Sequence, residues 1–222
     1  LINEVIEDDR FFYVFDEIER LRENLLHDKR VIEVTDLGAG SHTTSARTRS
    51  IRSIAKSAVT PFRYTQLLFK LIHYFKPKRI LEMGTSLGIS TLYQATAVRS
   101  AKVITLEGCP QISAIARENF RWLGMNNVEL MIGDFAGTLP KALDKMKRLD
   151  YAFFDGNHRK VPTLEYFEKA LEYAHEDSIF VFDDIYWSDE MREAWEEIKA
   201  NPKVTLTIDL FYVGIVFFRK EN

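Results

Sequence analysis

The sequence predicts an α/β protein built on a doubly wound, mostly parallel sheet. Three observations carry this. From Lys78 onward, short apolar runs alternate with segments of helical periodicity. A glycine-containing turn, "MGTSLGIS", joins a strand-like run directly to a helix-like one. Several apolar runs end in acids, as in "VITLE", "LDYAFFD" and "SIFVFDD".

Taken in order, Phe11, Val14, Phe15, Ile18, Leu21 and Leu25 recur at helix spacing and predict a first helix with one apolar face. "RVIEVTDLG" is short and reads as a strand or as merely extended chain. "AGSHTTSARTRSIRS" is polar and basic, with no apolar face before Ile51 and Ile54, and reads as a loop. After Pro61, "FRYTQLLFKLIHYF" is helical, with Leu67, Leu71 and Phe75 sharing a face. Five strands follow: "RILEM", "KVITLE", "VELMIG", "LDYAFFD" and "SIFVFDD". Between them lie helical segments, one of which accepts Pro110 in its first turn. Met191, Ala194, Trp195 and Ile198 mark a further helix. "KVTLTIDLF" and "YVGIVFFRK" close the chain as strand-like runs.

The 222 residues suit one large domain, and an apolar fraction of 46% can bury a sizeable core. Thirty basic and 33 acidic side chains give a formal charge of -3, which offers no general attraction to nucleic acid or an anionic membrane. The single cysteine, Cys109, excludes an intrachain disulfide. No apolar run has signal-peptide or membrane-spanning character, so a cytoplasmic location is expected.

Two glycine turns compete for a nucleotide-like ligand. The first, "TDLGAGSH" with Gly38 and Gly40, leads into polar chain rather than a helix. The second runs from strand to turn to helix through Gly84 and Gly88, with Thr85, Ser86 and Ser90 at the helix start. The next strand ends in Glu107, followed by Gly108, where a carboxylate can accept ribose hydroxyls. The glycine spacing departs from the dinucleotide pattern. Glu82, just ahead of the turn, would repel a pyrophosphate and suits a ligand carrying an ammonium and a sulfonium, as S-adenosylmethionine does. Asp134 and Phe135 follow the third strand, near the expected adenine. Asp134 reads equally as a helix cap, and both roles can hold.

Together, "ILEMGTSLGIST", "TLEG", "GD", "FFDGNH" and "VFDDI" resemble a class I S-adenosylmethionine-dependent methyltransferase of the catechol and caffeoyl-coenzyme A O-methyltransferase-like group. The resemblance covers roughly 61–222. It implies a seven-stranded Rossmann-like sheet with an antiparallel last strand, and a helical cap over 1–60 within the same domain. It also implies that Glu82 holds the methionine part of the cofactor, Glu107 the ribose and Asp134 the adenine border. A homodimer is expected from the group's habit, and "DLGAGSH" becomes part of the cap.

Asp155 ends the fourth strand, and Asp183 and Asp184 end the fifth. Adjacent strands lie about 4.8 Å apart, so these acids should meet at the carboxyl edge of the sheet. There they could bind a divalent ion, Mg²⁺ or Ca²⁺, or instead cap the helix near "SDEMREAW" or pair with His158 or Arg159. The resemblance implies a metal held by two acids and an asparagine. Asp155 and Asp183 match the acids, and Asp184 departs from the asparagine. The group's catalytic lysine is replaced by His158, which titrates near neutrality and is the expected base, with Asp155 beside it. Lys160 lies two residues further on. Tyr186 and Trp187 are expected to wall the pocket of a small hydroxylated substrate, or to be plain core.

Overall fold

The computed structural model describes residues 1–35, 48–57 and 59–220. Gly38, Gly40 and the rest of the first glycine turn from 36 onward lie outside them. A first helix, α1 (Tyr13–His27), leads to two short strands, β1 (Val31–Glu33) and β2 (Thr48–Ser50), and then α2 (Ile51–Ser57) and α3 (Phe62–Phe75). The stretch expected as loop therefore contains structure: β2 pairs antiparallel with β1, and α2 starts directly after it. A three-residue ladder is too short to show alternation in sequence. Ile51, Ile54 and Ala55 nonetheless give α2 a buried face.

The alternating part follows as β3 (Arg79–Met83), α4 (Ile89–Ala97), β4 (Lys102–Glu107), α5 (Pro110–Trp122), β5 (Val128–Ile132), α6 (Phe135–Met146), β6 (Tyr151–Phe154), α7 (Lys160–Leu171), β7 (Ile179–Asp183), α8 (Asp189–Ala200), β8 (Leu206–Asp209) and β9 (Val213–Phe217). The twelve apolar and helical runs from Arg79 onward thus fall where the pattern puts them, with Pro110 opening α5. The large sheet has seven strands in the order β5-β4-β3-β6-β7-β9-β8. All pairs from β5 to β7 are parallel, and β9 runs antiparallel between β7 and β8. From β3 the chain winds outward to β5, then returns to β6 on the other side of β3. That reversal makes a crevice at the carboxyl ends of β3 and β6, where such sheets take ligands.

Strand alternation sorts the core into two faces. Leu81, Met83, Phe180 and Phe182 pack with α6, α7 and α8 residues such as Leu139, Phe167 and Trp195. Ile80, Val103, Phe153 and Val181 pack with Leu68, Leu71 and Ile72 of α3. The apolar stripe of α1 (Phe15, Ile18, Leu21 and Leu25) joins α2, α4 and α5 in one cluster with Leu92 and Ile112. The N-terminal elements thus share a core with the helices that flank the crevice.

Candidate active site

The turn after β3 is shaped by close backbone approach. Gly84 has φ +101°, and a Cβ there would stand 1.8 Å from the carbonyl oxygen of Asp155. Gly88 has φ +85° at the N-cap of α4, where a Cβ would meet the Phe120 ring at 2.6 Å. Both glycines answer to packing beneath the turn. The Ser86 backbone N–H donates to Glu107 Oε2 at 2.9 Å, and the Cys109 N–H donates to Oε1 at 2.9 Å. The hydroxyl of Ser86 is buried and meets no partner. A part-exposed carboxylate beside an orphaned hydroxyl fits a ligand that brings both hydroxyl donors and a carboxylate.

Glu82 requires a correction. The expectation that it touches a cofactor does not match its position, because it is 0% exposed. By strand alternation it shares the face of Ile80, under α4. Ser90 Oγ donates to its Oε1 at 2.7 Å and Gln94 Nε2 at 2.6 Å, while Thr105 Oγ1 donates to Oε2 at 2.6 Å and Thr91 Oγ1 also donates to Oε2. Four donors offset the cost of burying a carboxylate. Thr85 is also buried, its hydroxyl 2.6 Å from that of Thr105. The side chains of Glu82, Thr85 and Ser90 therefore form the floor of the turn, and a ligand above it meets backbone there. A signal was present in the sequence: Ser90, Thr91 and Gln94 lie on one face of α4.

Burial raises the Glu82 carboxyl to about 7, despite its hydroxyl donors. Burial and the Asp184 charge likewise raise Asp155 to about 7. Between about pH 4 and 7 the folded protein therefore holds protons that the unfolded chain has released, so stability falls as pH rises through that window. Thermal melts should give a higher midpoint at pH 5.5 than at pH 8, with the slope flattened in Glu82→Gln. A melting midpoint that rises steadily over this range would contradict it.

The acids meet as expected at the ends of β6 and β7, which are neighbours. His158 stands between two of them, with Nε2 3.6 Å from Asp155 Oδ1 and Nδ1 3.9 Å from Asp184 Oδ2. Burial lowers its affinity for a proton, partly offset by the Asp184 charge. Met83, Phe154, Phe182 and Met191 line the pocket it shares. Asp183 is pushed well above the usual carboxylate range by burial and by Asp155. An all-oxygen donor set is right for Mg²⁺ or Ca²⁺ in kind. In arrangement it does not fit: among the described residues no three His, Cys, Asp or Glu side chains are grouped to hold one ion. The imidazole fills the gap between Asp155 and Asp184 instead.

The alternative roles resolve as follows. Ser188, not an aspartate, caps α8, accepting the Met191 N–H at 3.2 Å. Asp134 does cap α6, accepting the Ala136 N–H at 2.8 Å. Phe135 packs over Gly156, beside Tyr166. Lys160 turns away from the acids to Glu193 and Glu197 on α8, at 2.8 and 2.7 Å. Tyr186 and Trp187 are 37% and 55% exposed, which excludes plain core. Residues that the sequence did not single out join them. Tyr186 stacks on Phe211 of the β8–β9 turn, and Tyr212 of that turn meets Tyr64. Thr60 donates to Asp155 Oδ2 at 3.2 Å.

Residues 81–185 match the family described as Methyltransferase domain. Over 126 residues it is 32% identical to the catechol O-methyltransferase of Niastella koreensis, a match spanning 55% of each protein. The chain thus covers about half the length of that relative. Among solved structures, an S-adenosylhomocysteine-bound methyltransferase of Podospora anserina superposes with TM-score 0.64 at 17% identity, over 96% of this chain and all of that one (100%). An O-methyltransferase of Streptomyces achromogenes, involved in tomaymycin synthesis and solved with S-adenosylmethionine, gives TM-score 0.64 at 22% identity, over 74% of this chain and 83% of that one. At these identities the likeness shows the fold. Among the described residues no helix is long and apolar enough to cross a membrane.

Proposed function

We propose that the protein transfers a methyl group from S-adenosylmethionine to an oxygen of a small hydroxylated acceptor, with His158 as general base. The observation that carries this reading is the imidazole set between Asp155 and Asp184 at the sheet's carboxyl edge, beside the glycine turn. The cofactor, when bound, supplies the activated methyl group. Glu107 would take the ribose hydroxyls, the Ser86 hydroxyl and the backbone of the turn the methionine end, and Asp134 with Phe135 the border of the adenine.

The chain's own residues then have three tasks. The exposed aromatics Tyr186, Trp187, Phe211 and Tyr212 hold a planar acceptor next to the acids and keep water from its reacting edge. Alignment of the acceptor oxygen with the methyl carbon, at about 3–3.5 Å, accounts for much of the rate. His158 takes the hydroxyl proton as the oxygen–carbon bond forms and the carbon–sulfur bond breaks, leaving a neutral thioether. Burial keeps this imidazole unprotonated near neutral pH and ready to accept. The resulting imidazolium lies between carboxylates that stabilise it.

A screen of catechols, other phenols and small carboxylic acids tests this, each run with Mg²⁺, with Ca²⁺ and with chelator. Turnover on a phenolic acceptor that persists in chelator is the expected result. Turnover that requires a divalent ion would replace the general-base mechanism with a metal-assisted one. Absence of any cofactor binding in calorimetry would remove the reading altogether. A homodimer is part of the same proposal, and light scattering at working concentration decides it.

A further inference from the structure

We propose that Thr60 and Arg22 are positioning residues for Asp155: Thr60 fixes the carboxylate directly, and Arg22 of α1 fixes Thr60. The inference rests on the reading of Asp155 as part of the reaction site. Asp155 has two oxygens with different duties. Oδ2 accepts the Thr60 hydroxyl at 3.2 Å, which leaves Oδ1 turned to His158 at 3.6 Å. Thr60 is only 7% exposed, so no bulk water replaces that donor freely.

Thr60 is itself held from the other side. Arg22 Nη1 donates to the Thr60 carbonyl oxygen at 2.9 Å, and Nη2 reaches Thr65 Oγ1 on α3 at 3.5 Å. The guanidinium is aimed by Glu19, one turn earlier on α1, through Nε at 2.9 Å. Glu19 is anchored in turn by the Tyr93 hydroxyl at 2.9 Å, from the helix that starts at the glycine turn. A continuous series therefore runs from α4 through Tyr93, Glu19, Arg22 and Thr60 to Asp155. The planar guanidinium bonds Glu19 through Nε and the Thr60 carbonyl through Nη1 in one fixed geometry, which the compact, flexible ammonium of lysine reproduces poorly. The packing of α1 on the core is explained by its apolar stripe. The Glu19–Arg22 pair lies outside that stripe and is directed at the residue whose hydroxyl bonds the Asp155 carboxylate.

Thr60→Val removes the hydroxyl and keeps the shape, Thr60→Ala serves if the valine variant does not fold, and Thr60→Ser keeps the hydroxyl. The readouts are kcat and KM on an acceptor from the screen, cofactor affinity by calorimetry, thermal midpoint, and crystal structures of wild type and variant. In Thr60→Val, kcat should fall about three- to tenfold, the range expected for one hydrogen bond, with KM for the cofactor and the thermal midpoint little changed. Thr60→Ser should restore kcat, Arg22→Lys should fall as Thr60→Val does, and Asp155 Oδ1 should leave His158 in the valine structure. Wild-type kcat in folded Thr60→Val, or an Asp155 carboxylate that keeps its place there, overturns the proposal. If wild-type protein methylates no acceptor, the functional reading fails, and the crystallographic comparison decides the positioning role separately.

Discussion

Gly84→Ala is expected to abolish S-adenosylmethionine binding, and to cost stability on the scale of more than about 4 kcal/mol that marks an exceptional single substitution. The new Cβ would lie 1.8 Å from the Asp155 carbonyl oxygen and 2.8 Å from the carbonyl carbon. Both are backbone atoms at the end of a central parallel strand, so neither can yield as a side chain would. The residue also has φ +101°, which an L-amino acid adopts only with strain. To relieve the contact, the ends of β3 and β6 must part, although they are bonded there through the Asp155 N–H and the Met83 carbonyl at 2.9 Å. The displaced residue is then Asp155 itself. Gly88→Ala is the informative comparison: its Cβ would meet the Phe120 ring, which can shift, so the loss should be smaller. Calorimetry with the cofactor, alongside circular dichroism and thermal melts, measures both. Wild-type affinity in Gly84→Ala would show that the turn is not the cofactor's support.

The contrast between these glycines also shows what the sequence could and could not disclose. The strand, turn, helix and acidic strand end were legible because each is local and periodic, and their succession leaves few topologies. The strand-end position of Asp155, Asp183 and Asp184 followed from the same periodicity. What a side chain bonds is another matter. Glu82 had the position of a ligand-binding acid, but strand alternation turns it under α4, where Ser90, Thr91 and Gln94 consume its oxygens. Lys160 lay near His158 in sequence, yet the helical path from 160 onward carries it to Glu193 and Glu197. Thr60 reaches Asp155 across 95 positions of chain, and Arg22 reaches Thr60 across 38. No local pattern encodes such pairs, because they depend on how α1 and α3 dock on the sheet.

His158→Ala is expected to lower methyl transfer at neutral pH by about 10²–10⁴-fold, the usual contribution of a positioned base. Cofactor affinity should change little, since Glu107 and the turn keep their bonds without the imidazole. The pH profile should distinguish a base from a spacer. In the wild type the rate should fall on the acid side, as protons reach the buried set formed by His158, Asp155 and Asp184. The imidazole lies below its ordinary value through burial, whereas Asp155 is pushed up to about 7, and the groups face one another. The apparent midpoint belongs to the set rather than to one group. Removing His158 deletes its limb and leaves a rate that climbs with pH as the acceptor hydroxyl ionises by itself. The gap between variant and wild type should therefore narrow steadily above neutrality. His158→Gln keeps a polar side chain of similar reach between the acids but cannot take up a proton, so it should behave as the alanine variant does. A glutamine variant with wild-type rate and an unchanged acid limb would mean that the imidazole serves as a spacer and that the proton leaves by another path.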